Sequence, residues 1–173
     1  MSDHHRSIVL IGMMGAGKSS VGRMLQRKIG LDLVDLDDLL VARTGRSIPE
    51  IFAANGESTF RDMESSILAK LRLDRPAIIV TGGGIVTRPE NLPHLKSLGT
   101  VIWLDADEDV LFERATRRGE RPLLQTANPR EKLTNLMEVR RPLYAAAADL
   151  RIDTTSFSHD EVVEEILSHF EQG

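Results

Sequence analysis

The sequence contains no cysteine, only 4% aromatic residues and no long apolar run. Without cysteine the chain cannot form a disulfide or a thiolate metal site, and catalysis cannot use a cysteine nucleophile. No stretch approaches the roughly 18 consecutive apolar residues of a membrane-spanning helix, so we expect no membrane partner. The segment 1–7 is polar and shows no signal-peptide pattern, which favours a cytoplasmic location.

An excess of basic residues is also missing. The chain has 22 lysines and arginines against 26 aspartates and glutamates, a formal net charge of −4. Because polyanion binding favours a basic chain, this balance argues against a nucleic-acid partner. His4 and His5 lie in the polar N-terminal segment, which is typical of an exposed tail rather than a metal site.

Strand-like apolar runs alternate with helical segments along the 173 residues. The predicted strands cover residues 7–11, 33–34, 77–81, 101–104 and 150–152. This alternation predicts a parallel sheet covered by helices on both faces, an α/β fold of three layers. The length suits one domain over residues 1–173.

Helical spacing and capping signals predict the remaining elements. The predicted helices cover residues 18–29, 37–43, 57–71, 91–98, 107–117, 130–147 and the chain after Ser158. Ser47 and Glu50 form a capping-box pattern that predicts an additional short helix, which Gly56 ends. Asp38 and Asp107 are the expected helix caps, and Pro142 is expected to bend or split its helix.

The pattern Gly12-x-x-x-x-Gly17-Lys18-Ser19 follows a predicted strand and opens a predicted helix. This is the context of a P-loop, in which small residues let backbone N–H groups hold phosphate oxygens. Lys18 is expected to reach the β- and γ-phosphates and the Ser19 hydroxyl to hold Mg²⁺. The Asn-Lys-x-Asp pattern of GTPases is missing, so ATP is the expected donor. The expected nucleotide-binding residues of this loop are Gly15, Ala16, Gly17, Lys18, Ser19 and Ser20.

Three further clusters carry candidate chemistry. Asp35 and Asp37 follow a predicted strand, where ligands of parallel sheets bind. They either order Mg²⁺ and orient or deprotonate an acceptor hydroxyl, or they only stabilise a helix N-terminus. Arg61 and Glu64 share a helix face, either in a site or as a surface ion pair. The three glycines 82–84 allow a ligand close to the backbone, or they only form a sharp turn.

Taken together, the clusters resemble the shikimate kinase family along nearly the whole chain. The matching segments are GMMGAGKSSVGRMLQ, VDLDDLL, RTGRSIPEIFAANGESTFRDMES, IIVTGGGIV, RRGERPLL and RRPLYAAAA. Their order and spacing make the resemblance specific. It implies a P-loop kinase fold with a five-stranded parallel sheet in the order 2-3-1-4-5. It also implies transfer of the γ-phosphate of MgATP to the 3-hydroxyl of shikimate, a step of aromatic amino-acid biosynthesis.

The resemblance implies a role for each matching residue. Asp37, Lys18 and Arg121 would be catalytic, with Asp37 as the candidate base and Arg121 meeting the transferring phosphoryl group. Asp35 would bind Mg²⁺ through water, beside Ser19. Two arginines would pair with the shikimate carboxylate, and Glu64 would hold one of them, Arg61, in place. The implied shikimate site consists of Asp37, Arg61, Gly82, Gly83, Gly84 and Arg140.

Two segments would surround this site. Residues 36–64 would form a substrate-binding insertion, and residues 115–129 a mobile lid. The family often places an arginine and a proline after the last strand to flank adenine, and residues 153–158 contain neither. Arg117 or Arg118 would therefore flank adenine on one side, and groups near Thr155 on the other. Members of the family are commonly monomeric, so we expect a monomer.

Other functions fit parts of the pattern. A kinase for another small acid, such as gluconate, would keep the P-loop without needing Arg61, Arg140 and the three glycines together. A nucleoside monophosphate kinase would need an acceptor pocket for a nucleotide, which no motif indicates. An inactive relative that only binds would not need intact Lys18 and Asp37.

Overall fold

The computed structural model describes residues 6–119 and 121–171, and the segment with His4 and His5 lies outside that part. Its strands are β1 (Ser7–Ile11), β2 (Asp32–Asp35), β3 (Ala77–Val80), β4 (Gly99–Asp105) and β5 (Leu150–Asp153). They form a parallel sheet in the order β2-β3-β1-β4-β5, which confirms the predicted order. β1 pairs with both β3 and β4, so the loop after β1 lies at the middle of the sheet edge.

Helices flank the sheet in two groups. They are α1 (Lys18–Ile29), α2 (Leu36–Thr44), α3 (Ile48–Lys70), α4 (Asn91–Leu98), α5 (Glu108–Arg117), α6 (Pro129–Ala147) and α7 (His159–Glu171). Short 3-10 turns cover Ile85–Thr87 and Pro122–Leu124. α1 packs against β3 and α7, whereas α4 and α6 pack against β4. In the described residues no helix has the length and apolar character needed to cross a bilayer.

The three middle strands form the centre of the core. Every residue of β1, β3 and β4 is buried, as expected for parallel strands that are covered on both faces. α1 contributes Val21 and Leu25 from the face that its helical spacing predicts. Gly22 lies between them. A larger residue would not fit at this position, because a Cβ there would come within 2.8 Å of the Val80 side chain. This close packing fixes α1, and therefore the loop before it, against β3.

The predicted capping signals are largely confirmed. At the start of α3, the Glu50 N–H donates to Ser47 Oγ (3.3 Å) and the Ser47 N–H donates to Glu50 Oε2 (2.7 Å). Gly56 interrupts the helical path within α3, with φ 76° and ψ 173°. A second reciprocal pair of hydrogen bonds, between Ser158 and Glu161, lies at the start of α7.

One predicted cap and one predicted break are wrong, whereas Asp107 is confirmed as the N-cap residue of α5. Asp35, and not Asp38, caps α2, because Asp35 Oδ1 accepts a hydrogen bond from the Asp37 N–H at 2.9 Å. Asp107 precedes α5, but its side chain makes no capping hydrogen bond. Pro142 does not split α6, which continues to Ala147. Pro142 has no N–H to donate to the carbonyl of residue 138. Residue 138 lies on the exposed side of the helix, where water can bond to that carbonyl.

Candidate active site

A cavity of about 220 Å³ lies at the edge of the sheet where β1, β2 and β3 end. The phosphate loop forms its floor, and the acidic residues after β2 form one wall. Four arginines and a histidine close the opposite side. Its lining is Met14, Gly15, Gly17, Lys18, Ser19, Asp35, Asp37, Val80, Thr81, Gly82, Gly83, Arg114, Arg117, Arg118, Arg121 and His159. The structure thus brings the phosphate loop, the acidic pair and the lid arginine into one cavity.

Two glycines shape the phosphate loop. Gly15 (φ 81°) and Gly17 (φ 93°) have left-handed backbone conformations, which other residues rarely adopt. Gly17 directly precedes α1, so the free N–H groups of the helix N-terminus face the cavity. Two further residues of the predicted set, Ala16 and Ser20, do not line it: Ala16 is buried, and Ser20 accepts a hydrogen bond from Arg118.

Lys18 lies at the bottom of the cavity. Its Nζ donates to the carbonyl oxygens of Gly12 (2.6 Å) and Met13 (3.0 Å), both in its own loop. Burial lowers the pKa of Lys18 to about 8, and the nearby Arg121 acts in the same direction. Neutral carbonyls offset the ammonium charge only in part, so this arrangement favours an incoming anion.

The acidic pair lies both at the start of a helix and in the lining of the cavity. Asp35 caps α2 and also lines the cavity, and burial raises the pKa of Asp35 to about 6 with help from the Asp37 charge. Burial raises the pKa of Asp37 as well, and the negative charge of Glu64 adds to that effect. Lys18 and Arg61 oppose it. The two carboxylates therefore lie in a region where additional positive charge is favourable.

A second cavity adjoins the first on the side of α3 and α6. It is lined by Met14, Asp37, Ile48, Phe52, Phe60, Arg61, Glu64, Gly82, Gly83, Gly84, Arg121, Pro122, Leu123 and Arg140. Five residues line both cavities, and two of them, Asp37 and Arg121, are charged. A group bound in one cavity would meet a group bound in the other at these two side chains.

Each glycine of the triplet after β3 leaves room for a different partner. A Cβ on Gly82 would lie 2.5 Å from Glu64 Oε1, and a Cβ on Gly83 would lie 3.3 Å from Arg140 Nη1. A Cβ on Gly84 would overlap the guanidinium of Arg61. None of the three has a positive φ, so space rather than backbone conformation requires glycine here. A simple sharp turn would not explain all three.

Two buried arginines face the second cavity with incomplete hydrogen bonding. Arg61 is 6% exposed and donates from Nη1 to Glu64 Oε2 at 2.6 Å, so this pair is a buried pair and not a surface one. Arg140 is 2% exposed, and Arg140 Nη1 lies 3.9 Å from the Met13 sulfur. The Nε atoms of both arginines lack a partner among the described residues. Arg61 has carboxylate partners, but Arg140 has none in ion-pair range among the described residues. Since an unpaired buried charge is costly, the cavity is suited to an anionic group.

The predicted lid contacts the phosphate loop from above. Arg118 Nη2 donates to Ser20 Oγ at 2.9 Å, whereas Arg117 pairs with Glu113 on its own helix. Arg121 lies in the cavity, where burial and the charge of Arg118 lower the pKa of Arg121. The lid therefore places positive charge on both sides of the space above Lys18.

Two of the cavity residues that were not predicted from the sequence, Arg114 and His159, have titratable side chains. Arg114 of α5 donates to Thr154 Oγ1 (3.1 Å) and to the Thr154 carbonyl (3.2 Å), which fixes its guanidinium beside the cavity. It precedes Arg117 and Arg118 by three and four residues, the spacing of one helix face, and this signal could have identified it. His159 offers no comparable signal, because it reaches the cavity through the packing of α7.

Thr155 is not among the residues that line either cavity. Its hydroxyl donates to Asp153 Oδ1 (2.6 Å) and accepts from the Asp107 N–H (2.9 Å). These bonds hold the end of β5 against the segment after β4. The structure therefore places Thr155 beside the site but gives it a partner on each side.

A metal ion would have few protein ligands in this site. In the described residues no group of three histidine, aspartate or glutamate side chains is arranged to hold a metal. Asp35 and Ser19 nevertheless line the phosphate cavity together, and the raised pKa of Asp35 marks a carboxylate whose charge is not offset. Oxygen ligands of this kind, completed by phosphate oxygens and water, fit Mg²⁺.

Sequence comparison relates the chain to enzymes of one family. The family model for shikimate kinase matches residues 14–171. The shikimate kinase of Thermodesulfovibrio yellowstonii is 44% identical over 167 residues, which cover 96% of this chain and 96% of the relative. That of Symbiobacterium thermophilum is 44% identical over 168 residues, which cover 96% of this chain and 97% of the relative.

Comparison of folds also finds members of the shikimate kinase family. The shikimate kinase of Acinetobacter baumannii, solved in complex with shikimate, superposes with a TM-score of 0.89 at 36% identity. The match covers 95% of this chain and 92% of that one. A gluconokinase of Sinorhizobium meliloti superposes with a TM-score of 0.65 at 23% identity, over 98% of this chain and 93% of that one. The second likeness shows a shared fold and no more.

Proposed function

Because the chain belongs to the shikimate kinase family, we propose that it transfers the γ-phosphate of ATP to the 3-hydroxyl of shikimate, giving shikimate 3-phosphate and ADP. The reaction belongs to the biosynthesis of aromatic amino acids. One observation supports this most directly. The cavity that holds Arg61 and Arg140 meets the phosphate cavity at Asp37 and Arg121, so an acid and a triphosphate have adjoining sites.

The acceptor cavity has the polarity that shikimate needs. Shikimate carries one carboxylate and several hydroxyl groups. The guanidinium groups of Arg61 and Arg140 suit the carboxylate, because each offers a planar fork of donors and each has an unsatisfied Nε. Asp37 and the backbone of residues 82–84 suit the hydroxyl groups. Glu64 holds Arg61 in position through the 2.6 Å bond.

In the donor cavity, backbone N–H groups of the phosphate loop, from Gly15 and from residues 17–19, would hold the phosphates. Lys18 and Arg121 would neutralise the charge that develops as the phosphoryl group moves. Asp37 would orient the acceptor hydroxyl or accept its proton. The lid would exclude water, which otherwise competes with the acceptor for the phosphoryl group.

Mg²⁺ is the cofactor that the donor site fits, with the Ser19 hydroxyl as a ligand and Asp35 acting through a bound water. Held there, the ion would supply positive charge that offsets the negative charge of the phosphates. For the nucleobase, Arg114 and Arg118 are better supported than Arg117, because they bond to Thr154 and Ser20 on other elements, whereas Arg117 pairs with exposed Glu113 on its own helix.

ADP release with different acceptors tests the proposed function. We expect release from ATP with shikimate and Mg²⁺, and background release with gluconate, whose enzyme shares the fold at low identity. Turnover with gluconate but not shikimate would reassign the acceptor. Hydrolysis that does not depend on shikimate, or no turnover at all, would contradict the proposal.

The close packing of the Arg61 guanidinium against Gly84 gives a prediction about shikimate affinity. In Gly84→Ala the new methyl group would overlap the guanidinium, so Arg61 has to move away from its bond with Glu64. We expect KM for shikimate to rise tenfold or more, about 1.4 kcal/mol of binding, while KM for ATP changes little. Steady-state kinetics on both substrates measures this.

Gly83→Ala is the matched control for that variant. Its methyl group would meet Arg140 Nη1 at 3.3 Å, a distance that a small side-chain shift can relieve. A milder effect than that of Gly84→Ala is expected. Equal KM values for shikimate in Gly84→Ala and the wild type would contradict a role in shikimate binding for Arg61 packed against Gly84.

Asp35 gives a prediction about stability. Its pKa of about 6 in the folded protein exceeds the ordinary value of 3.8, so folding favours the protonated form. The free energy of unfolding therefore falls as the pH rises from about 4 to about 6, and the loss is complete above that range. Asp35→Asn removes this loss and keeps a capping side chain. After allowance for solvent screening, we expect a gain of about 1–2 kcal/mol at pH 7.

Thermal unfolding at pH 4.5 and pH 7 measures the difference between Asp35→Asn and the wild type. The variant should unfold several degrees higher at pH 7 and show little advantage at the lower pH. Adding MgADP should narrow the gap, because only the wild type has the carboxylate for the metal site. A lower Tm for the variant at pH 7 would contradict the cause given for the raised pKa.

We further propose that the enzyme acts as a monomer in the cytoplasm. The monomer is the expectation that the family membership supports. Light scattering during size-exclusion chromatography would report a mass near 19.2 kDa for a monomer.

A further inference from the structure

His159 is the one histidine in the wall of the phosphate cavity. It is the first residue of α7, and the reciprocal bonds between Ser158 and Glu161 fix the start of that helix. Its Nε2 lies 3.3 Å from the position that a Cβ on Gly17 would occupy. Because Gly17 is the residue before α1, the imidazole edge lies beside the N–H groups that hold phosphate.

The charges around His159 come from three elements. Arg114 and Arg118 face it from α5 and the lid, and burial together with these two arginines lowers the pKa of His159. Asp160, its neighbour on α7, opposes that shift. Other groups nearby already have partners: Lys18 bonds to its own loop, Arg117 to Glu113, Glu161 to Ser158 and Lys28 to Glu164. In the nucleotide-free protein the surroundings of His159 are therefore mainly positive.

A bound nucleotide would make the electrostatic potential around His159 more negative. Its phosphates would bring several negative charges to the loop beside the imidazole. A protonated imidazole has an N–H on both ring nitrogens, so Nε2 could then donate toward a phosphate oxygen. We propose that His159 is a nucleotide-contacting residue that takes up a proton from solvent when nucleotide binds. This inference rests on the proposed nucleotide site, and it adds a proton to the binding step.

Two contributions of the side chain can be separated by substitution. His159→Phe keeps a flat ring in the cavity wall but cannot be protonated. His159→Ala removes both the ring and the proton site. We expect the wild type to bind MgADP about two- to fivefold more tightly than His159→Phe at pH 6, the range of an exposed charge pair. At pH 8.5 the two should bind equally, and His159→Ala should bind more weakly than either at both pH values.

Calorimetry measures the proton directly. The heat of MgADP binding at pH 6.5, compared between two buffers of different ionisation enthalpy, gives the number of protons taken up. The wild type should take up a fraction of a proton more than His159→Phe, and the excess should vanish at pH 8.5. Protons that belong to the nucleotide itself cancel in this comparison. His94→Gln, a histidine of α4 that lies outside both cavities, should behave as the wild type.

The outcomes distinguish this inference from the proposed function. Equal proton uptake in the wild type and His159→Phe would overturn the role of His159, even if shikimate is phosphorylated at a normal rate. Binding of MgADP with the expected uptake would support it, even if shikimate proves to be the wrong acceptor. No binding of MgADP would overturn both the inference and the nucleotide site.

Discussion

Replacing Asp37 with asparagine is expected to remove most of the turnover, about 10²- to 10⁴-fold, the usual contribution of a positioned acid or base. Asparagine has nearly the same shape but can neither accept the hydroxyl proton nor attract it strongly. Asp37 lines both cavities, so the loss should fall on kcat. Binding of MgADP should survive, because the phosphate loop and Lys18 are unchanged. Steady-state kinetics and calorimetry measure the two effects.

Asp38→Asn is the matched control for this prediction. Asp38 lies in the same first turn of α2 but is exposed and lines neither cavity. The cap of α2 is kept in both variants, because it uses the side chain of Asp35 and the backbone of residue 37. Near-normal turnover in Asp37→Asn would remove Asp37 as the base or the hydroxyl-orienting group.

Arg140→Ala is expected to raise KM for shikimate about 30-fold or more, which corresponds to about 2 kcal/mol for a lost charged hydrogen bond. Arg140 is buried at the acceptor cavity, its Nε has no partner among the described residues, and Arg140 Nη1 meets only the weak acceptor sulfur of Met13. No carboxylate of the described residues pairs with it, so its charge is available for the carboxylate of the acceptor. KM for ATP should change much less, because Arg140 does not line the phosphate cavity.

Arg141→Ala tests whether loss of any arginine from this part of α6 has the same result. Arg141 is exposed and donates to the Ala106 carbonyl at 3.1 Å, on the side of β4. Its replacement should leave KM for shikimate near the wild-type value. Arg140→Lys keeps the charge without the planar fork, so an intermediate KM is expected. An unchanged KM in Arg140→Ala would contradict the carboxylate role.

Local patterns predicted the phosphate loop, of which Gly15, Gly17, Lys18 and Ser19 line the cavity. The phosphate loop is short in sequence, and its glycines and Lys18 act through the strand and helix that directly flank them. The sheet order followed from the family resemblance and not from the residues alone. The difference between Asp35 and Asp38 as the cap of α2 was not predictable, because it depends on where β2 stops, and a shift of three residues exchanges their roles.

Contacts between distant segments account for the rest. From the residues alone, Arg61 and Glu64 fit a surface ion pair, and only the tertiary structure buries them at Gly84 and Gly82. Spacing on α5 contained a signal for Arg114, but nothing near His159 indicates that α7 brings it to Gly17. The individual site roles remain predictions, and the variants described above test them.

The sheet order also determines when the enzyme can take shape as it is synthesised. β1 and β2 have no partner until β3 appears, because β2 pairs only with β3 and β1 pairs with β3 and β4. A nascent chain must therefore pass Val80, almost half its length, before the phosphate loop gains the sheet that orients it. Arg140 follows much later, on α6. A chain released from the ribosome before α6 would contain the complete phosphate loop and Arg61. It would lack Arg140, the second arginine proposed for the shikimate carboxylate.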